Sequence, residues 1–278
     1  MRTVPIYQVD AFTERPFAGN PSAVCVLDAP LDTATMQSIA AEMNLSETAF
    51  VQRVDTGAAR APARYGLRWF TPQEEVKLCG HATLASAPVL FREQSLRTDY
   101  VEFDTKSGTL VARRRNDGIQ LDFPADTLES YVLLPVMASA LGVHEPVAVH
   151  RSHSLGMVLI HVASAATVRA LKPDMRALAA AGARSDGMGF TVTAPGAAPT
   201  DFVSRFFAPG LGIDEDPVTG SSHTVLGPYW GARLKKTVMR AHQLSARGGD
   251  LLIELLPRDR VGITGQAVVL LSGQLRLP

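Results

Sequence analysis

Alternating apolar and polar positions open the chain. Residues 4–12, VPIYQVDAF, read as a strand, and residues 21–27, PSAVCVL, as a second one that is almost wholly apolar. ERPFAGNP between them has the Gly, Asn and Pro content of a loop. The period then changes. In LDTATMQSIAAEMN, residues 31–44, Leu31, Met36, Ile39, Ala40 and Met43 recur at helical spacing, and Asp32 or Thr33 is placed to cap the first turn. SETAFVQRV and YGLRWFTP return to strand patterns, and Asp117-Gly118 between TLVARRR and IQLDF predicts a hairpin. After Phe123-Pro124 the mixture repeats. PVAVHR, MVLIHV and GFTVTAP read as strands and residues 166–180 as a helix. Gly248-Gly249-Asp250 between HQLSAR and LLIELL predicts a second hairpin, and QAVVLLSGQLRLP a final strand.

Two segments stand out from this mixture. CGHATLASAP begins at Cys79 and TGSSHTVLGP at Thr219. Each has a small polar residue, a glycine, a polar residue and then an apolar helical run, with a proline eight residues after the glycine. Gly80 and Gly220 are 140 positions apart in a chain of 278, which predicts one repeat and two similar domains rather than a solenoid. Whether Pro88 and Pro228 kink these helices or end them is open at this level.

Composition narrows the function. Hydrophobic residues make up 46%, enough for a sizeable core. Lys+Arg and Asp+Glu both total 27, so no bulk charge draws the chain to nucleic acid or an anionic membrane. The longest weakly polar run, residues 132–143, is interrupted by Pro135 and Ser139 and is too short to span a bilayer. Cys25 and Cys79 do not make a disulfide framework, so free thiols in the cytoplasm are expected. A neutral, mildly hydrophobic chain resists self-association poorly, which favours a homodimer.

The two helix starts have chemistry of their own. A glycine leading into a helix leaves backbone N–H groups unpaired, and two such starts facing one cleft would hold a carboxylate without arginine. His81, directly after Gly80, reads equally as an acid/base and as a capping side chain. Glu47 in NLSETAF is flanked by Ala49 and Phe50; burial raises a carboxyl pKa and suits it to proton transfer near neutrality, whereas base rates favour a surface Glu. Asp216 in EDPVTGS reads by itself as turn chemistry. A helix start lowers a thiol pKa, so Cys79 is either an activated thiol or a small buried hydrophobe. Hydrolysis by Cys79 with His81 is disfavoured, because neighbouring positions at a helix start are expected to point different ways. His150 and His153 form an HxxH pair with no third ligand nearby, so no metal is expected.

Together the motifs VDAFTERPFAGNPSAVCVL, EMNLSETAFV, RWFTPQEEVKLCGHATLASA, SRFFAPGLGIDEDPVTGSSH and QLSARGG resemble the PhzF-like isomerases of the phenazine-biosynthesis family over nearly the whole chain. The resemblance implies the α+β, diaminopimelate-epimerase-like fold: two pseudo-symmetric domains, each a curved sheet around a central helix, with the active site between them. Residues 1–124 would form the first domain and 125–265 the second, with 266–278 returning to the first. It implies Glu47 as the acid/base, His81 and Asp216 as catalytic partners, and Asn20, Gly80, Gly220 and Ser221 as substrate-binding residues. No metal or organic cofactor is implied, and homodimers are common in the family.

The sequence also departs from that pattern. Related epimerases pair two cysteines, but here Thr219 takes the second position, which argues against a two-thiol racemase and leaves Cys79 a remnant. The ATLA after Gly-His differs from phenazine-forming members. The expected function is isomerisation of a small, dihydro-hydroxyanthranilate-like carboxylic acid by proton transfer. The alternatives are a one-base amino-acid epimerase or racemase, and a catalytically silent binding protein of the same fold.

Overall fold

The computed structural model describes residues 2–54, 63–183 and 189–277. The chain divides into two compact units, Met1–Asp122 with Thr264–Pro278, and Phe123–Ile263.

In the first unit, strand Arg2–Ala11 pairs antiparallel with both Asn20–Leu27 and the closing strand Ala267–Leu277. The chain crosses through helix α1 (Thr33–Met43), so that Glu47–Arg53 lies parallel to Asn20–Leu27. Glu47–Arg53 pairs antiparallel with Arg64–Phe70, which runs parallel to Tyr100–Thr105, itself antiparallel to Gly108–Arg115. Asp117-Gly118 makes the expected hairpin into Gly118–Pro124.

Asp32 is the cap of α1, its Oδ1 accepting the Thr35 N–H at 2.8 Å, and left-handed Asn44 ends the helix. Met36, Ile39 and Ala40 of α1 pack into a cluster with Val4, Ile6, Ala23, Cys25, Leu27, Phe50 and Phe70 from one face of the sheet. By strand alternation Val24, Ala49, Val51 and Trp69 face the other way, where helix α2 (Gly80–Pro88) lies. This helix touches Arg2–Ala11, Asn20–Leu27, Glu47–Arg53, Gly108–Arg115 and Ala267–Leu277, so the sheet curves around it. Burial on both faces is why PSAVCVL shows no alternation.

The second unit repeats the order of pairings. Ala148–Ser152 is antiparallel to Val158–His161, which is parallel to Phe190–Pro195. Phe190–Pro195 is antiparallel to Phe202–Ala208, which is parallel to Val238–Gln243, and that strand is antiparallel to Gly249–Leu256. Helices α3 (Pro135–Leu141), α4 (Ala165–Ala170) and α5 (Met175–Ala183) supply apolar residues to one cluster with these strands. Helix α6 (His223–Leu234) follows the short strand Ile213–Asp216, as α2 follows Glu75–Val76, and packs on Val238–Gln243 and Gly249–Leu256. The architecture is therefore α+β, with a mixed sheet and a buried helix in each unit.

The structure corrects the helix expected at 166–180, which is two helices, α4 and α5. Pro173 has no N–H to continue the ladder and disfavours helical geometry at the residue before it. Leu171 is already extended, with ψ 133°, and its carbonyl accepts a 2.8 Å hydrogen bond from Arg205 Nη1. The prolines of the two repeat segments differ. Helix α6 runs through Pro228, whereas Pro88 is the last residue of α2 and the chain continues as a π-helical turn, Val89–Glu93. Strands Tyr100–Thr105, Phe202–Ala208 and Arg260–Gly265 and helix α3 were not anticipated by the hydropathy pattern. Among the described residues no helix is long and apolar enough to cross a membrane.

Candidate active site

The NLSE motif is a device for ending α1 and starting a strand. Asn44 takes the left-handed cap and its N–H donates to the Ala40 carbonyl. Leu45 packs against the apolar cluster under α1. Glu47 is then the first residue of its strand, in register with Ser22, whose hydroxyl donates to the Glu47 carbonyl at 2.9 Å. Gly19 serves the neighbouring strand in a similar way. It sits at φ +64°, and a Cβ there would collide with the Ala11 carbonyl, so only glycine turns this corner into the fully buried Asn20.

Helix α2 delivers His81 to Glu47. His81 Nε2 lies 3.2 Å from Glu47 Oε2, with side-chain exposures of 7% and 12%. The two atoms are close but poorly aligned, and both are buried without a hydrogen-bond partner. On the other side of the ring, Cys79 Sγ lies 3.6 Å from His81 Nδ1. The expectation that Cys79 and His81 point apart is therefore wrong. They are two residues apart at a helix start, with Cys79 still extended at φ −145°, so its side chain swings alongside the first turn rather than away from it.

Burial shapes the charge states of this trio. Burial, and then the charge of Glu47, push the Cys79 thiol up, which favours the buried small residue over the activated thiol; desolvation outweighs the helix start. For His81, burial opposes the charged ring, but the anionic form of Cys79 and the Glu47 carboxylate outweigh it and hold its pKa well above the usual value. A thiol that stays protonated contributes no anion, which leaves Glu47 as the charged group beside the ring. Among the described residues, Glu47, Cys79 and His81 are the one group whose ligand atoms, all within 4.8 Å of each other, could hold a metal ion. The sulfur and the carboxylate approach opposite ring nitrogens, an arrangement that suits relaying a proton better than chelating an ion.

The second helix start is organised differently. Residues 220–222 form a turn, and α6 itself begins at His223. The N–H groups of His223, Thr224 and Val225 are taken by the carbonyls of Gly220, Ser221 and Ser222, leaving the Gly220 and Ser221 amides ahead of the helix. Thr219 Oγ1 donates to Asp216 Oδ2 at 2.6 Å. Asp216 thus ends strand Ile213–Asp216 and ties it to the helix start, more than the isolated turn its sequence suggests. Buried Gln243 locks both: its Oε1 accepts the Thr219 N–H at 2.9 Å and its Nε2 donates to the Asp216 carbonyl at 2.8 Å. Gln243 was not singled out from the sequence, although QLSARGG was; the available signal was its place at period two after Met239 and Ala241, on the buried face of the strand. His223 Nδ1 donates to the Thr219 carbonyl at 2.8 Å, and burial lowers its pKa to about 4.

The HxxH pair is not a site. His150 packs edge-on against Tyr229 while His153 is exposed.

Known proteins resemble this chain in sequence and fold. The family model described as PhzC-PhzF, phenazine biosynthesis-like protein, matches residues 9–273. A Pseudomonas aeruginosa protein named an uncharacterized isomerase is 48% identical over 271 residues, covering 98% of both chains. The crystal structure of a phenazine biosynthesis protein of the PhzF family from Enterococcus faecalis superposes with a TM-score of 0.90 at 42% identity, covering 99% of this chain and 100% of that one. A probable proline racemase from Agrobacterium radiobacter shares the fold at 12% identity and a TM-score of 0.62, covering 99% of this chain and 93% of that one.

Proposed function

Because the chain belongs to the PhzC-PhzF family of phenazine biosynthesis-like proteins, we propose that it is an isomerase that moves a proton between two carbons of a small carboxylic acid of the dihydro-hydroxyanthranilate type. The observation that carries this reading is the Glu47–His81 contact: Glu47 Oε2 and His81 Nε2 lie 3.2 Å apart, both buried and neither atom satisfied by a hydrogen bond. A buried polar atom without a partner calls for a reason, of which a catalytic role is one.

In this reading Glu47 is the carboxylate that removes a proton from an activated carbon. The electron pair of the C–H bond enters the conjugated system of the substrate, and the Glu47 carboxylic acid returns the proton at the second carbon. His81 stabilises the charge that develops beside it. The Gly80 and His81 amides, which as first-turn groups have no intrahelical acceptor, bind the substrate carboxylate. Asp216, Asn20 and the Gly220 and Ser221 amides take the binding and orienting roles that the family resemblance gives them. Positioned acid/base catalysis of this kind contributes about 10²–10⁴-fold.

The test is incubation of a panel of small carboxylic acids with the protein in deuterated water, read by NMR. Deuterium appearing at a carbon other than the one that lost its proton supports isomerisation. Deuterium at the same carbon with inverted configuration makes the protein a one-base epimerase instead. Glu47→Gln should bind ligand and lose at least about a hundredfold in turnover; unchanged turnover removes Glu47 from the mechanism. Absence of both exchange and turnover across the panel favours the silent binding protein.

A further inference from the structure

Sulfur, ring and carboxylate form a short chain of contacts in the first unit: Cys79 Sγ to His81 Nδ1 at 3.6 Å, then His81 Nε2 to Glu47 Oε2 at 3.2 Å. We propose that Cys79 is a positioning residue for the Glu47–His81 pair, its thiol donating to His81 Nδ1 and so fixing the ring with its hydrogen on Nε2, facing Glu47. The inference deepens the reading of Glu47 as the acid/base and rests on it for its catalytic meaning.

A neutral imidazole carries one N–H and one bare nitrogen. With the hydrogen on Nδ1, the bare Nε2 would face a carboxylate oxygen 3.2 Å away, lone pair against lone pair. With the hydrogen on Nε2, that contact is attractive, but Nδ1 then needs a donor. Water is poorly placed to supply one, because His81 is 5% exposed. Cys79, itself 5% exposed and in contact with Nδ1, can supply it only as a protonated thiol. Burial and the nearby Glu47 charge favour that protonated form. If the ring takes a second proton, the sulfur accepts from Nδ1 instead, and the orientation of the ring is unchanged.

The other helix start provides a contrast. His223 also commits Nδ1, but to the Thr219 carbonyl, which only accepts; its hydrogen must sit on Nδ1, leaving Nε2 bare. The two helix-start histidines are therefore assigned opposite tautomers, and the difference follows from what meets Nδ1. A hydroxyl has the donor that this role at position 79 requires, while a methyl group has none.

At a pH above the raised His81 transition, where the ring is neutral, long-range ¹H–¹⁵N correlation spectra of ¹⁵N-labelled protein read the tautomer of His81 directly. Wild type and Cys79→Ser should both show the His81 hydrogen on Nε2. Cys79→Ala should show a mixture of tautomers. Turnover should follow: kcat lowered about five- to tenfold in Cys79→Ala, the size of one lost hydrogen bond, with KM within twofold, and restored most of the way in Cys79→Ser. One His81 pattern in all three proteins, or serine and alanine variants equally slow, overturns the assignment. If Cys79→Ser does not fold, the spectra of wild type and Cys79→Ala decide alone. The Glu47 reading fails separately: if Glu47→Gln keeps turnover while the His81 tautomer still responds to Cys79, the positioning role stands and the identity of the base does not.

Discussion

The starts of α2 and α6 are two solutions to the same local problem. In both, the carbonyl just before the leading glycine accepts a side-chain hydrogen bond from four residues on: Thr83 Oγ1 to the Cys79 carbonyl at 2.6 Å, and His223 Nδ1 to the Thr219 carbonyl at 2.8 Å. In both, the preceding element is a short strand paired to the edge of a longer one. They differ in what fills the scaffold. Around α2 the side chains are a thiol, an imidazole and a carboxylate in contact with one another. Around α6 the corresponding region is tied by Thr219, Asp216 and Gln243, and its histidine is held neutral. One start has groups that can exchange protons, while the other is a fixed frame. The proposed mechanism assigns proton transfer to one helix start and the holding of backbone amides to the other.

The largest effect expected on stability comes from removing that neutrality. His223 has a folded pKa of about 4 against the ordinary 6.5, so the unfolded chain takes up the proton first as pH falls. Its contribution is fully present above pH 6.5 and is lost as pH drops from 6.5 toward 4. The shift corresponds to about 3 kcal/mol. Chemical denaturation of wild type and His223→Gln at several pH values should show the variant losing that much less stability across this window. Parallel slopes for the two proteins would mean that the ring is not held neutral by the fold, and the contrast with His81 would disappear.

The frame itself should come next. Gln243→Leu keeps the bulk but strands the Thr219 N–H and the Asp216 carbonyl, both otherwise bonded to the Gln243 amide. A buried group left unsatisfied costs about 1–3 kcal/mol, so the variant should lose about 2–4 kcal/mol in denaturation midpoints. Any substrate turnover should suffer in KM rather than in kcat if α6 frames binding. A loss confined to kcat would place proton chemistry at this start too.

Much of this molecule could be read along the chain, and the unread parts have physical causes. Helix α1 was legible because only one of its faces is buried, leaving Met36, Ile39 and Ala40 at helical spacing. Helix α2 gave no such periodicity, because residues 81–88 are all buried, and it was recognised from Gly80 and from its repeat. The break between α4 and α5 depends on one proline and on a guanidinium from a distant strand, and the second of these has no local trace. Glu47 and His81 were each picked out by motif, but they lie 34 positions apart in sequence, and their contact arises from register: Glu47 beside Ser22 on the sheet that curves around α2. Cys79 was read as a remnant because Thr219 takes the place of a second thiol, and its contact with His81 was hidden because side-chain direction at an extended cap is not written in residue type. Gln243 illustrates the same limit, since its two partners lie 24 and 27 positions back.

The smallest effect tests the shared part of the scaffold rather than the difference. Thr83→Val preserves shape and removes the hydroxyl that bonds the Cys79 carbonyl. The Thr83 N–H also reaches that carbonyl, at 3.3 Å, so the acceptor is not left bare and the cost should stay near 1 kcal/mol. The more informative readout is His81. If the bond to Thr83 holds the Cys79 backbone so that Sγ meets Nδ1, the valine variant should broaden or shift the His81 ring ¹⁵N signals while leaving those of His223 unchanged. A variant with an unperturbed His81 would show that Cys79 is placed by the packing of α2 alone, and that the side-chain bond four residues on is a helix-start habit common to both units without a part in setting the proton chemistry of one.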